Sequence, residues 1–294
     1  MPINWTVASG GRRFSMTLAA LAALWAVVAA PAGALAQGSP DLKNTMIDIS
    51  YDAPKNHNYD YIYTYLQKRK VLEELQQFLS PVRLPRRLKI QTQQCGQTNS
   101  WYEPTNGSVT VCYEWVDWVL RTAPVDKSPE GFSREDIVVG AFVQVVLHEL
   151  SHAMFDMLDV PIFGREEDAA DMLAGFVMTQ LGKDVMRRTL TGAAYFFQAI
   201  SKVDGQPVGT AFSDEHGTDE QRFYNYLCIA YGADPQTFQD FIDKKLLPQH
   251  RAERCGHEYQ VLRYAFVKTI LPHVDQALMA KVQSMQWLLP TDGK

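Results

Sequence analysis

A chain of 294 residues, 46% hydrophobic and 21% charged, has enough apolar material for one large core or for a domain with a subdomain. Its formal net charge of −5, with acids and bases well mixed, argues against nucleic acid as a partner. No internal repeat interrupts it, and no low-complexity tract occurs beyond the first segment.

That first segment stands apart. Arg12 and Arg13 precede an apolar stretch that ends at Pro31 and Gly33, and Ala34-Leu35-Ala36 follows. This is the order of a secretory signal: basic region, apolar region, small-residue cleavage site. The apolar stretch is short for a retained membrane anchor, and the residues around the arginine pair fit a twin-arginine signal poorly. The expectation is a signal peptide over residues 1–36 and a single domain over 37–294. Removing two arginines and no acids takes the formal charge from −5 to −7. No later stretch reads as long and apolar enough to span a bilayer. The expected product is therefore soluble, periplasmic or secreted, with no stable membrane insertion after cleavage.

Along the domain, the alternation of Ile47, Ile49 and Tyr51 predicts a strand. Residues 59–80 carry Ile62, Leu66, Leu72, Leu75 and Leu79 at helical spacing, and Pro81 and Pro85 end that helix. Residues 87–95 read as a second strand. The run 99–115 reads as a hairpin, with aromatic and β-branched arms around Pro104 and Asn106-Gly107. From Glu114 onward helices dominate: residues 113–123, then 133–159 opened by Ser133 with Asp136 three positions on, then 164–182 and 184–202. A polar loop runs to His216, and helices continue through Leu271. Strands first and helices after indicate an α+β domain, with a sheet-containing part over 37–133 and a helical part over 134–294.

Export makes disulfides the default state of Cys95, Cys112, Cys228 and Cys255. Three pairings are open, and Cys95–Cys112 with Cys228–Cys255 fits best because each pair flanks one compact segment. Each such closure is worth about 3 kcal/mol in the chain-entropy model. A four-cysteine metal site lacks any C-x-x-C spacing.

The helix over 133–159 contains His148-Glu149-Leu150-Ser151-His152. Histidines at i and i+4 share one helix face, so both imidazoles can reach one Zn²⁺. Glu149 sits beside them, placed to take a proton from water rather than to ligate. The plain alternative is a core helix, which would leave two buried imidazoles and a carboxylate to be satisfied. A catalytic zinc needs a third protein ligand and an open position. Glu166, Glu167, Asp168 and Asp171 follow on the next helix. Glu167 and Asp171 are four apart, beside the small Ala170 and Ala174, so Glu167 is the economical third ligand. Asp171 then orients a histidine through its free ring nitrogen. Glu166 and Asp168 read as acids favoured at a helix start.

The pattern HExxH followed by ExxxD resembles the glutamate-zincin branch of the zincin metallopeptidases. In detail the chain is similar to a bacterial metallopeptidase family, domain-of-unknown-function family 4344. The segments that carry the likeness are "CGQTNSWYEP" with "VTVCYEW", "HELSHAMFDMLDVPIFGREEDAADMLA" and "DEHGTDEQRFYNYLCIAYGADP", from about Cys95 to Cys255. The resemblance implies a zincin-like fold and a hydrolase with one zinc per chain. Its ligands would be His148, His152 and Glu167, with Glu149 as general base and a peptide or protein as substrate. "HGTDEQR" (His216 to Arg222) resembles the H-x5-R element of neutral zinc metallopeptidases and prenyl-protein peptidases. There, a histidine after the third ligand helps bind the tetrahedral intermediate. This implies active-site roles for His216 and Arg222, although His216 alone reads as a loop histidine. Zincins of this type bind extended peptide along an edge strand, and Asn99, Ser100, Trp101 and Tyr102 are the candidate arm. Trp101 and Tyr102 could equally be hairpin-pair aromatics. A zinc hydrolase of a non-peptide amide such as cell-wall material, or a non-catalytic binding protein on the same fold, would use the same frame.

Overall fold

Alternating apolar residues in β1 (Ile47–Tyr51) and β2 (Leu88–Gln93) build the start of a four-stranded sheet, completed by β3 (Ser100–Glu103) and β4 (Ser108–Cys112). These assignments come from a computed structural model that describes residues 44–124, 132–202, 212–285 and Trp287. The expected signal segment, 1–36, lies outside the described residues. The strand order is β1-β2-β4-β3. β1 and β4 both run parallel to β2, while β3 pairs antiparallel with β4, with Trp101 opposite Thr110 and Tyr102 opposite Val109. β4 is buried throughout and β3 is half-buried, which leaves β3 as the edge beside the helical half. Gly107 closes the β3–β4 turn at φ 66, and a Cβ there would meet the Arg87 carbonyl at 2.8 Å. Glycine alone suits that turn.

Parallel neighbours need a crossover. Between β1 and β2 it is made by α1 (Asp60–Lys68) and α2 (Val71–Phe78). The single helix expected over this stretch is therefore two. Lys70 takes the left-handed conformation, φ 53, and turns the chain so that Leu72 is fully buried and Gln76 donates to the Ile47 carbonyl.

α3 (Tyr113–Thr122) leaves β4 directly, and α4 (Arg134–Met157) follows. The Ser133 hydroxyl caps α4 by accepting from the Asp136 amide at 3.1 Å. By length and composition α4 could cross a bilayer, contrary to the expectation that no later stretch could. Its apolar surface is used in the core instead: Ile137, Ala141, Val146, Leu150 and Ala153 are essentially inaccessible. α5 (Glu166–Met178) and α6 (Lys183–Ser201) pack on it. The α4–α6 crossing is backbone on backbone. A Cβ at Gly192 would lie 2.0 Å from the Asp136 carbonyl oxygen, and one at Gly140 would lie 2.5 Å from the Ala193 nitrogen.

α7 (Asp219–Ala233), the short α8 (Asp240–Asp243) and α9 (Gln249–Thr269) follow. Past Leu271, where the helical pattern was expected to stop, α10 (Gln276–Gln283) adds one more, capped by Asp275 accepting from the Leu278 amide. Both disulfides form in the local pairing: Cys95–Cys112 and Cys228–Cys255. The first ties the chain after β2 to the end of β4, and the second joins α7 to α9. The whole is α+β, a small mixed sheet followed by a mainly helical half, as the zincin-like expectation requires.

Candidate metal centre

α4 carries His148 and Glu149 into the interior, 4% and 7% exposed. One turn later His152 reaches the same point, and the two Nε2 atoms lie 3.2 Å apart. The first turn of α5 supplies Glu167, whose Oε2 is 2.9 Å from His148 Nε2 and 3.3 Å from His152 Nε2. Donors bound to one zinc at about 2.0–2.1 Å stand about 3.3 Å apart along a tetrahedron's edges. Two imidazole nitrogens and a carboxylate oxygen at these separations fit zinc in both geometry and donor type.

Each imidazole is held from its other side by a carboxylate. His148 Nδ1 donates to Asp171 Oδ1 at 2.9 Å and His152 Nδ1 to Glu166 Oε1 at 2.8 Å. His216, on the loop before α7, repeats the arrangement. Its Nδ1 meets Asp214 Oδ1 at 3.0 Å and its Nε2 meets Glu167 Oε2 at 2.9 Å. The donor atoms of His148, Glu167 and His216 all lie within 4.8 Å of one another. Three imidazoles thus surround one carboxylate oxygen, each turned by its own acid. Glu166, read from sequence as a helix-start acid, orients His152 instead. Asp168 pairs with Arg165.

The electrostatics favour a cation. Burial opposes a charge on His148, yet its hydrogen bonds to Asp171 and Glu167 lift its pKa to about 9. Burial likewise raises the Glu167 carboxyl, but hydrogen bonds from His148, His152 and His216 hold it far below the usual carboxylate range. Asp171 behaves the same way. Burial pushes it up, and Arg222 and His148 together bring it well below an ordinary aspartate. Asp171 also accepts from Gln144 Nε2 at 3.0 Å and from Arg222 Nε and Nη2 at 2.7 and 2.8 Å. Arg222 thus grips Asp171 through two of its nitrogens and lies 4.0 Å over the Phe197 ring. It reaches the centre through Asp171 and His148.

Glu149 makes no such pair. Burial pushes its carboxyl above the usual range, while the nearby imidazoles and a hydrogen bond from the Tyr102 backbone amide pull it back. A carboxylate beside the donor atoms is placed to exchange a proton with a group bound among them. The Tyr102 amide belongs to the edge strand β3, so the sheet edge and the carboxylate touch. The Tyr102 hydroxyl donates to Asp156 Oδ2 at 2.6 Å and accepts from Arg86 Nη2 at 2.9 Å, which fastens that edge to the last turn of α4.

Asn99, Ser100, Trp101 and Tyr102 line the same cleft as His148, Glu149, His152, Glu167, His216 and Arg222, and its volume is about 470 Å³. The structure thus brings the sequence-derived site residues together, with Asp171 behind them. The cysteines lie elsewhere, and each is disulfide-bonded. Sequence reasoning missed Asp214, the orienting role of Glu166, and an aromatic end of the cleft made by Trp115, Trp118, Phe196, Phe197 and Ile200. The spacings Trp115-x-x-Trp118 and Phe196-x3-Ile200 each mark one helix face and were the available signal.

A family model described as "Putative metallopeptidase", domain-of-unknown-function family 4344, matches residues 51–269. No curated protein matches the chain, and no solved structure does.

Proposed function

The chain belongs to that metallopeptidase family, and from this premise we propose that it is an exported, zinc-dependent peptidase. The observation that carries the reading is the convergence of His148 Nε2, His152 Nε2 and Glu167 Oε2 beside the buried carboxylate of Glu149.

In this reading His148, His152 and Glu167 hold one zinc ion, with Asp171 and Glu166 fixing the rings. Bound there, zinc supplies Lewis-acid polarisation of the scissile carbonyl and of water. Glu149 takes a proton from the attacking water as its oxygen bonds the carbonyl carbon. It then gives a proton to the leaving amine as the C–N bond breaks. Glu149 and Tyr102 of β3 line the same cleft. His216, braced through Nδ1 by Asp214, holds its Nε2 on Glu167 Oε2 at 2.9 Å; with that oxygen given to a zinc ion, the Nε2–H would be released to the developing oxyanion, a donor of the kind worth several kcal/mol in such sites. β3 offers main-chain groups to an extended peptide. The basic and apolar opening of the chain supports export as the route to the periplasm or medium.

Elemental analysis of the purified chain tests the metal. The expected result is one zinc per chain in the wild type and none in a His148→Ala, His152→Ala double variant. A wild type that stays metal-free after zinc is offered would remove the hydrolase reading and favour a binding protein on the same frame.

A further inference from the structure

One end of the cleft is charged and the other is not. Trp115 and Trp118 lie three apart on α3, and Phe196 and Ile200 lie four apart on α6, so each pair presents one helix face to the cleft. The backbone contact of Gly140 with Gly192 and Ala193 draws α6 against α4 and brings the Phe196 face to the motif helix. The wall is pre-formed. Phe196 is packed edge-to-face by Trp118 at 5.3 Å and 84°, and by Trp115 at 6.1 Å and 62°. Phe197 is pinned beneath the Arg222 guanidinium, whose charge Asp171 already neutralises.

Among the described residues lining this end none carries a free charge. The ionisable lining groups gather around His148 and Glu149 instead. Val145, which joins the wall to the motif, is four residues from Glu149, about 6 Å along α4. A side chain on a residue next to the bond being cut can therefore reach the wall while its carbonyl stays beside Glu149. A charged side chain placed there would lose its hydration without gaining a partner.

We propose that this wall is a specificity pocket and that the substrates are peptides with a bulky apolar side chain, aromatic or long aliphatic, adjoining the scissile bond. The proposal rests on the peptidase reading and names its substrate class. Trp118, half-buried at the pocket's side, is the residue that sets the preference.

The test separates binding from cutting. Zinc-loaded Glu149→Gln protein is titrated by calorimetry with end-blocked tetrapeptides that differ at one position: Phe, Ala, Glu or Lys. In parallel, wild-type cleavage sites in an unfolded protein are mapped by mass spectrometry. The Phe peptide should bind about 10- to 100-fold more tightly than the Ala or Glu peptide, the range that an apolar pocket commands. Trp118→Ala should cut the advantage of Phe by about fivefold or more, and Trp118→Glu should turn the ranking toward Lys. Mapped sites should carry Phe, Tyr, Trp, Leu or Met on one side of the cut. Equal binding of the Phe and Glu peptides, binding of none, or a ranking untouched by both Trp118 variants would overturn the pocket. Selective binding with no cleavage by the wild type would leave the pocket standing and defeat the peptidase reading.

Discussion

The two ends of the cleft are built on opposite principles. At the motif end, buried and half-buried polar groups form a connected chain: Arg222 to Asp171, Asp171 to His148, His148 to Glu167, and Glu167 on to His152 and His216. At the aromatic end, Trp115 and Trp118 pack edge-on against Phe196, and the contact between them is apolar ring surface. A network of the first kind fails when one member is removed, because its neighbours are left buried and unpaired. A wall of the second kind loses contact area in proportion to what is cut away. On the proposed reading, the chemistry sits in the brittle half and selectivity in the tolerant half.

The sharpest way to break this contrast is Asp171→Asn. It leaves the Arg222 guanidinium without a counter-charge under 14% side-chain exposure and should cost about 3–5 kcal/mol of stability. Chemical denaturation of the zinc-free protein reads this directly. A loss under about 1 kcal/mol, the range of an exposed pair, would show that the network is not brittle. The same carboxylate fixes a pH dependence. Its folded pKa is depressed, so its contribution is present above the unfolded value of about 3.9 and is lost as pH falls through the lower folded value. Wild-type stability should fall across that acid window, and Asp171→Asn should flatten this part of the fall.

Smaller effects grade the carboxylates around the rings. Glu167→Ala removes a donor and should weaken zinc binding by about 100-fold or more, whereas Glu166→Ala removes only the brace on His152 and should cost about tenfold. Competition with a chromophoric chelator measures both. The reverse order would exchange their roles.

What could be read in advance divides along the same line. His148, Glu149 and His152 announce themselves because helix geometry alone puts i and i+4 on one face. Glu167 and Asp171 follow by the same rule one helix later. The disulfides were legible because short closures are the easiest to make. Asp214 was not, since an acid two residues from a loop histidine has no periodicity to mark it. The left-handed turn at Lys70 was invisible because the apolar spacing runs through it unbroken. Trp115, Trp118 and Phe196 carry the pattern of core helices, and that pattern is the same whether a face meets protein or a cleft. Only the approach of α6 to α4 through Gly140 and Gly192 distinguishes the two, and it joins residues about fifty apart in the chain.

The measurement closest to the central claim is turnover by Glu149→Gln beside its zinc content. The account predicts one zinc per chain, as in the wild type, with hydrolysis of a Phe-containing peptide reduced by about 10²–10⁴-fold. Full zinc with unreduced turnover would contradict it, because the carboxylate held by the edge strand would then not be the base.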